Sequence, residues 1–196
     1  MYEVEAIGNM PLITARGKLS IAQVKAEIAP EAMLVSAVVD GNRDQFARLY
    51  DLYAPLVHGI LLARVPRNEV ADLVQDIFLH ALKKLHTLRD RTAFGPWIAM
   101  IARNRAMDFH RQSRETVAVT EDLGSTNSSA AKATEMLEII RSLPDAYRET
   151  LVLRLVEGMT GPEIATRTGL TPASVRVNLH RGMKLLREKL GFKERL

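Results

Sequence analysis

GMTGPEIATRTGLTPASVRVNLHRGMKLLR, residues 158–187, decides the reading of this chain. Thr160-Gly161-Pro162-Glu163 has the pattern of a capping box: Thr160 accepts from the amide of Glu163, and Glu163 reaches back to Thr160. A proline in the first turn loses no needed donor. Ile164 and Ala165 point inward from the short helix that follows, and Gly169 supplies the left-handed residue that ends it. Thr171-Pro172 opens a second helix with its own cap and early proline, and Val175, Leu179 and Leu186 form its inner side. Two capped helices joined by a tight glycine turn make a helix-turn-helix, whose second helix enters the DNA major groove with its N-terminal side chains at the base edges. That helix presents Thr171, Ala173, Ser174, Arg176, Val177, Asn178, His180, Arg181 and Lys184. Residues 171–190 carry five Lys/Arg against one acid. Arginine pairs bidentately with guanine and asparagine with adenine, while basic residues further along suit phosphates. Charge alone would equally fit a solvated face of a helical bundle; the paired caps and the turn glycine favour DNA.

Upstream of this motif the pattern is helical throughout. Phe46, Leu49, Tyr50 and Tyr53 recur at helical spacing after the turn at Asp40-Gly41-Asn42. Pro66 and Asn68 mark a boundary. The next helix buries Val70, Leu73, Val74, Ile77, Ala81, Leu82 and Leu85 and turns Asp72, Gln75, Asp76, His80 and Lys83 outward. A loop at Arg89-Asp90-Arg91-Thr92 leads to a helix from Phe94 that buries Trp97, Ile98, Ile101 and Ala102. Residues 103–114 then hold four arginines against one acid. Residues 116–133 are small and polar and read as a flexible linker. Helical periodicity resumes at Met136, Leu137, Ile140 and Leu143, followed by Pro144 and a helix through Tyr147, Leu151, Val152 and Leu155. Residues 20–28 suit a short helix ending before Pro30, and Met33 is an alternative start. The expectation is an all-α protein of two small helical domains on a tether: an extension over 1–32, a first domain over 33–115, a linker over 116–133 and a second domain over 134–196.

The 196 residues are 47% apolar, enough for packed cores. With no cysteine, disulfide frameworks and thiolate zinc sites are excluded. No apolar run reaches the roughly 18 residues of a membrane span, and no signal peptide is visible. The expectation is a cytoplasmic protein with no membrane insertion. The net charge of +4 is modest, so its placement on two basic helices matters more than its size. No phosphate-binding glycine loop, nucleophile elbow or metal-spaced histidine pair occurs. No catalytic residue, metal or cofactor is therefore expected. A repressor with a dimer or ligand domain fits less well, given the second basic helix and the tether.

Asp72-Leu73-Val74-Gln75-Asp76-Ile77-Phe78-Leu79, followed by Trp97-Ile98-Ala99-Met100-Ile101-Ala102-Arg103-Asn104-Arg105-Ala106-Met107-Asp108, closely resembles the second conserved region of bacterial sigma factors of the extracytoplasmic-function group. Leu143-Pro144 with the helix-turn-helix resembles their fourth region, and the resemblance spans roughly residues 34–190 in family order. It implies a factor that joins the RNA polymerase core, reads two promoter elements, promotes melting and is held by an anti-sigma factor. Asp72, Gln75, Asp76 and Leu79 would dock on the clamp coiled coil of the largest polymerase subunit, and the fourth region on the flap. By themselves these acids would fit a solvated face. Arg89, Arg91, Phe94 and Asn104 would read the minus-ten element, with Arg103, Arg105 and Arg111 on strand phosphates. Thr171, Ala173, Ser174, Arg176, Asn178, Arg181 and Lys184 would read the minus-thirty-five element. Trp97 matches a family tryptophan but is read here as core. Asn178 stands where arginine is common, which leaves the promoter sequence open.

Overall fold

The computed structural model describes residues 31–115 and 128–191, and every regular element among them is helical. Helix α1 covers 31–39, α2 Asp44–Leu62, α3 Arg67–Lys84 and α4 Phe94–Glu115. Short 3₁₀ turns at Leu85–Thr87 and Arg91–Ala93 connect α3 to α4. The C-terminal half holds α5 (Ser128–Arg141), α6 (Asp145–Leu155), α7 (Gly161–Thr168) and α8 (Pro172–Lys189). Of the stretch expected to be a linker, 128–133 is the first turn and a half of α5, while 116–127 lies outside the described residues. The expected helix over 20–28 also lies outside them.

In the N-terminal half α2 is central and packs against both α3 and α4. Leu49, Leu56, Ile60 and Leu61 from α2 meet Ile77 from α3 and Phe94 and Ile98 from α4, all of them fully buried. The outward residues expected on α3 are exposed. Glu31, two residues before Met33, accepts a hydrogen bond from the Tyr53 hydroxyl through its carboxylate and is itself buried. Burial holds the Tyr53 phenol far above its usual range, with the Glu31 charge adding to the effect.

The two halves dock on one another and share one apolar cluster. The clearest sign is α6, where Glu149, Thr150, Leu151, Val152 and Leu153 are buried in succession. A helix covered on one side buries residues three and four apart, so α6 must be covered on two sides. It lies between α8 and α2. Gly59 makes the second contact possible: a β-carbon there would stand 2.7 Å from Leu153 Cδ2. Likewise α4 begins against the end of α7, where a Gly95 β-carbon would be 3.1 Å from the Arg167 carbonyl oxygen.

Polar groups complete the junction. Pro55 lies inside α2 and brings no backbone donor for the preceding turn; in that turn Arg167 from α7 donates to the Leu52 carbonyl at 2.9 Å and lies over the Tyr53 ring. Arg141, the last residue of α5, donates to the Leu62 and Val65 carbonyls at 2.9 and 2.6 Å, covering acceptors at the C-terminal end of α2. His58 and Glu157 meet at 2.6 Å. Glu149 on α6 takes Arg64 Nη2 at 2.6 Å and Arg103 Nη2 at 2.7 Å.

Gly59→Leu should therefore undock the halves without melting them. Compact chains of this length have a radius of gyration of about 16 Å. Small-angle scattering of the variant should show a rise of several ångströms over wild type, while circular dichroism keeps its helical signal. An unchanged radius would mean that the Gly59–Leu153 approach does not control docking.

Candidate nucleic-acid and polymerase interfaces

The helix-turn-helix forms as its caps require. Thr160 Oγ1 accepts from the Glu163 amide at 3.4 Å, and Glu163 Oε2 accepts from the Thr160 amide at 2.8 Å. Gly169 ends α7 at φ +77°, a conformation that a residue with a side chain rarely adopts. Thr171 Oγ1 accepts from the Ser174 amide at 3.1 Å and shares a 2.8 Å contact with the Ser174 hydroxyl. Both hydroxyls of the expected reading set are thus occupied in capping α8.

Val175, Gly182 and Leu186 are the buried residues of α8, and the opposite side faces out. Arg176, Arg181 and Lys184 are exposed, with no ion-pair partner among the described residues. Ala173 and Thr171 are exposed beside them. Asn178 is only half exposed, because it lies on the flank between the outer face and Gly182. The middle of the outer face belongs instead to Val177, 41% exposed, and His180. Both were among the residues this helix was expected to present, though not in the set assigned to the minus-thirty-five element; they follow Ala173 by four and seven residues.

On α4, Met100, Asn104, Met107 and Arg111 follow at steps of four, three and four, and all are exposed. Asn104 thus stands between two outward methionines, 51% and 64% exposed, which the sequence reading did not select. The other expected minus-ten residues divide. Arg89 is exposed. Arg91 is turned back, donating to the carbonyls of Leu85 and Leu88, so it fastens the loop. Asp90 braces the same loop by accepting from the Thr92 amide at 2.9 Å and its hydroxyl at 2.6 Å, and these bonds hold its carboxyl below the usual range.

Phe94 corrects the expectation most. It is 1% exposed, edge-on to Tyr53 at 4.8 Å and tilted on Trp97 at 5.8 Å, so it cannot stack on a base in this arrangement. Trp97, read as core, does pack against the core. Arg105 pairs with Asp76 at 3.0 Å, and Arg111 with Asp108 at 3.0 Å. Arg103 holds both oxygens of Glu149, through Nε at 3.1 Å and Nη2 at 2.7 Å. Burial pushes the Glu149 carboxyl upward, but the Arg103 hydrogen bonds and the Arg64 charge outweigh it and keep it below the usual carboxylate range.

On α3, Asp72, Gln75 and Asp76 lie exposed together, and Leu79 beside them is 57% exposed. A single exposed apolar side chain is ordinary on a protein surface, and beside it the acids leave this face with negative charge to offer a basic partner. No group of three or more histidine and acidic side chains able to hold a metal occurs among the described residues. None of the described helices is long and apolar enough to cross a membrane.

Comparison with known proteins places these surfaces in a family. The family described as Sigma-70 region 2 matches residues 49–116, and that described as Sigma-70, region 4 matches residues 133–186. The chain is 34% identical over 161 residues to the RNA polymerase sigma factor CarQ of Myxococcus xanthus, covering 78% of this chain and 92% of the relative. It is 26% identical over 184 residues to the ECF RNA polymerase sigma-E factor of Haemophilus influenzae, covering 84% and 97%. Among solved structures, CnrH in complex with the cytosolic domain of CnrY superposes with a TM-score of 0.61 at 23% identity, covering 82% of this chain and 97% of that one. The sigma factor RpoE in complex with the anti-sigma factor NepR from Bartonella quintana gives 0.52 at 18%, covering 76% and 98%. At such identities the structures speak for the fold, and the sequence relatives carry the assignment: the chain belongs to the sigma-70 family, in its extracytoplasmic-function group, and is an RNA polymerase sigma factor.

Proposed function

We propose that this sigma factor reads its promoter with two helical faces and meets the polymerase with a third. The exposed face of α8, through Arg176, Arg181 and Lys184 with Ala173, Val177 and His180, reads the minus-thirty-five element in the major groove. The exposed face of α4 around Asn104 reads the minus-ten strand, with Arg89, Arg103, Arg105 and Arg111 on phosphates. Asp72, Gln75, Asp76 and Leu79 dock on the clamp coiled coil of the core enzyme. The units that act are those over 33–115 and 134–196, connected through 116–133. The protein works in the cytoplasm under control of an anti-sigma factor, the partner class that accompanies RpoE in the neighbouring structure.

The observation that carries this reading is the outer face of α8. Three cations stand on the outside of a correctly capped recognition helix without an acid to neutralise them. A helix built only for a solvated surface gains by pairing such charges along itself. Asn104 adds an amide, with donors and an acceptor for a base edge, at the middle of a second outward face.

Purified protein mixed with sigma-free core polymerase and genomic fragments should produce transcripts with promoter-specific starts. Transcript sequencing that shows no stimulation over core alone would reject the reading. Arg176→Ala should weaken the upstream contact by about 1–3 kcal/mol if it reads a base, and relax specificity at one position. Asn104→Ala should reduce open-complex formation on the same promoters yet leave core affinity unchanged, as read by titration of labelled protein onto core. A loss of core affinity in that variant would remove Asn104 from the reading set.

A further inference from the structure

Arg64 was not among the residues that the sequence singled out, yet it shares its anion with one that was. Its Nη2 lies 2.6 Å from Glu149 Oε2, while Arg103 spans both oxygens of the same carboxylate. Glu149 is 6% exposed in its side chain, Arg64 14% and Arg103 29%. Two guanidiniums thus face one carboxylate, a partly buried cluster with one surplus positive charge.

The cations belong to the N-terminal half and the anion to the C-terminal half. Arg64 is held by its own half: its Nη1 donates to the Ile60 carbonyl at 3.1 Å, and its own carbonyl is met by His110 Nε2 from α4 at 2.7 Å. Among the described residues no other acid forms an ion pair with Arg64 or Arg103. When α6 departs, Arg64 keeps its bond to the Ile60 carbonyl, and both guanidiniums lose their counter-ion. What they then present is a fork for a singly charged group with two equivalent oxygens. A nucleic-acid phosphodiester has that charge and those two non-bridging oxygens, and arginine recognises it with the same bidentate geometry. Arg103 precedes Asn104 in α4, about 100° round the helix, so such a phosphate would lie on the face next to the one that carries the amide.

We propose that Arg64 and Arg103 form a phosphodiester site for the minus-ten strand, and that Glu149 occupies this site while the two halves are docked. Strand binding and docking then exclude one another, and the docked chain masks its own DNA site. The proposal rests on the assignment of α4 to the minus-ten strand. It adds Arg64 to the site and gives Glu149 the place of the phosphate.

The chain has no cysteine, so dyes at Asn42→Cys and Glu188→Cys, both exposed positions, report the separation of the halves. Adding mixed-sequence single-stranded DNA to the full chain should lower energy transfer. Glu149→Gln, nearly the same in size, should show low transfer before DNA is added and bind the oligonucleotide roughly tenfold more tightly, because the open state no longer has to be selected. In the Glu149→Gln background, Arg64→Gln should weaken binding and reduce the salt slope of log affinity by about 0.7, one phosphate contact on a single strand. Unchanged separation and affinity in Glu149→Gln would overturn the masking. If Arg103→Gln weakens binding and Arg64→Gln does not, the shared site fails while the assignment of α4 stands. If neither weakens it, the assignment of α4 to the strand fails as well.

Discussion

The arrangement of this molecule depends on α6 being covered on two sides. Leu151 and Leu153 are two residues apart, about 200° around a helix, and both are fully buried. Leu151 lies against Gly182 of α8, within its own half, whereas Leu153 lies against Gly59 of α2 in the other. A helix with this sequence has no face to leave in water over residues 149–153. Exposing Leu153 alone costs about 1.5–3 kcal/mol, so the N-terminal half is its most available cover. The polar groups trapped at the junction follow from that burial, since each must then find a partner. Among the described residues, no buried side-chain nitrogen or oxygen lacks one.

If the halves part as proposed, the Glu149 cluster penalises a partial opening more than a complete one. Buried ion pairs add little net stability compared with a well-packed apolar contact, because desolvation offsets the attraction. Removing one partner is different, and typically costs about 3–5 kcal/mol. A half-separated state, with α6 lifted but no anion supplied to Arg64 and Arg103, is penalised in that way. The same holds for Arg167, whose guanidinium is buried against the Leu52 carbonyl and the Tyr53 ring. Intermediate separations are disfavoured relative to full docking or to full opening into water and ligand.

This explains which parts of the structure could be read from sequence. Helices with one solvated side write their own pattern, and the outward set on α3 and the inner side of α8 were legible for that reason. The caps at Thr160 and Thr171 were legible because capping is local chemistry. On α6 the expected set was Tyr147, Leu151, Val152 and Leu155; Leu153 was not in it and Leu155 is 45% exposed, because the second surface that buries Leu153 leaves no local pattern. Phe94 was legible as the start of a helix, and its minus-ten role was only what the family resemblance implied; its burial against Tyr53 is a tertiary fact. Arg91 and Arg103 were legible as cations but not in their use, since a carbonyl pair within the loop and a carboxylate 46 residues away leave no local trace. The start of α5 at Ser128 was hidden by a run of serine and alanine, which suits both a linker and a helix start.

Two ion pairs of α4 show how burial sorts similar residues into different tasks. Arg105 and Asp76 are 37% and 56% exposed, and a pair of that kind contributes about 0–1 kcal/mol. Breaking it is nearly free, so a polymerase surface that takes Asp76 would release Arg105 toward a phosphate at almost no cost. Arg103 and Glu149 form the partly buried counterpart, and a replacement anion favours their separation. On the proposed assignments, engagement of the core enzyme through α3 therefore prepares one phosphate contact directly, whereas the neighbouring contact waits for the halves to part. The order of these events is set by solvent exposure, because the residue types in the two pairs are nearly the same.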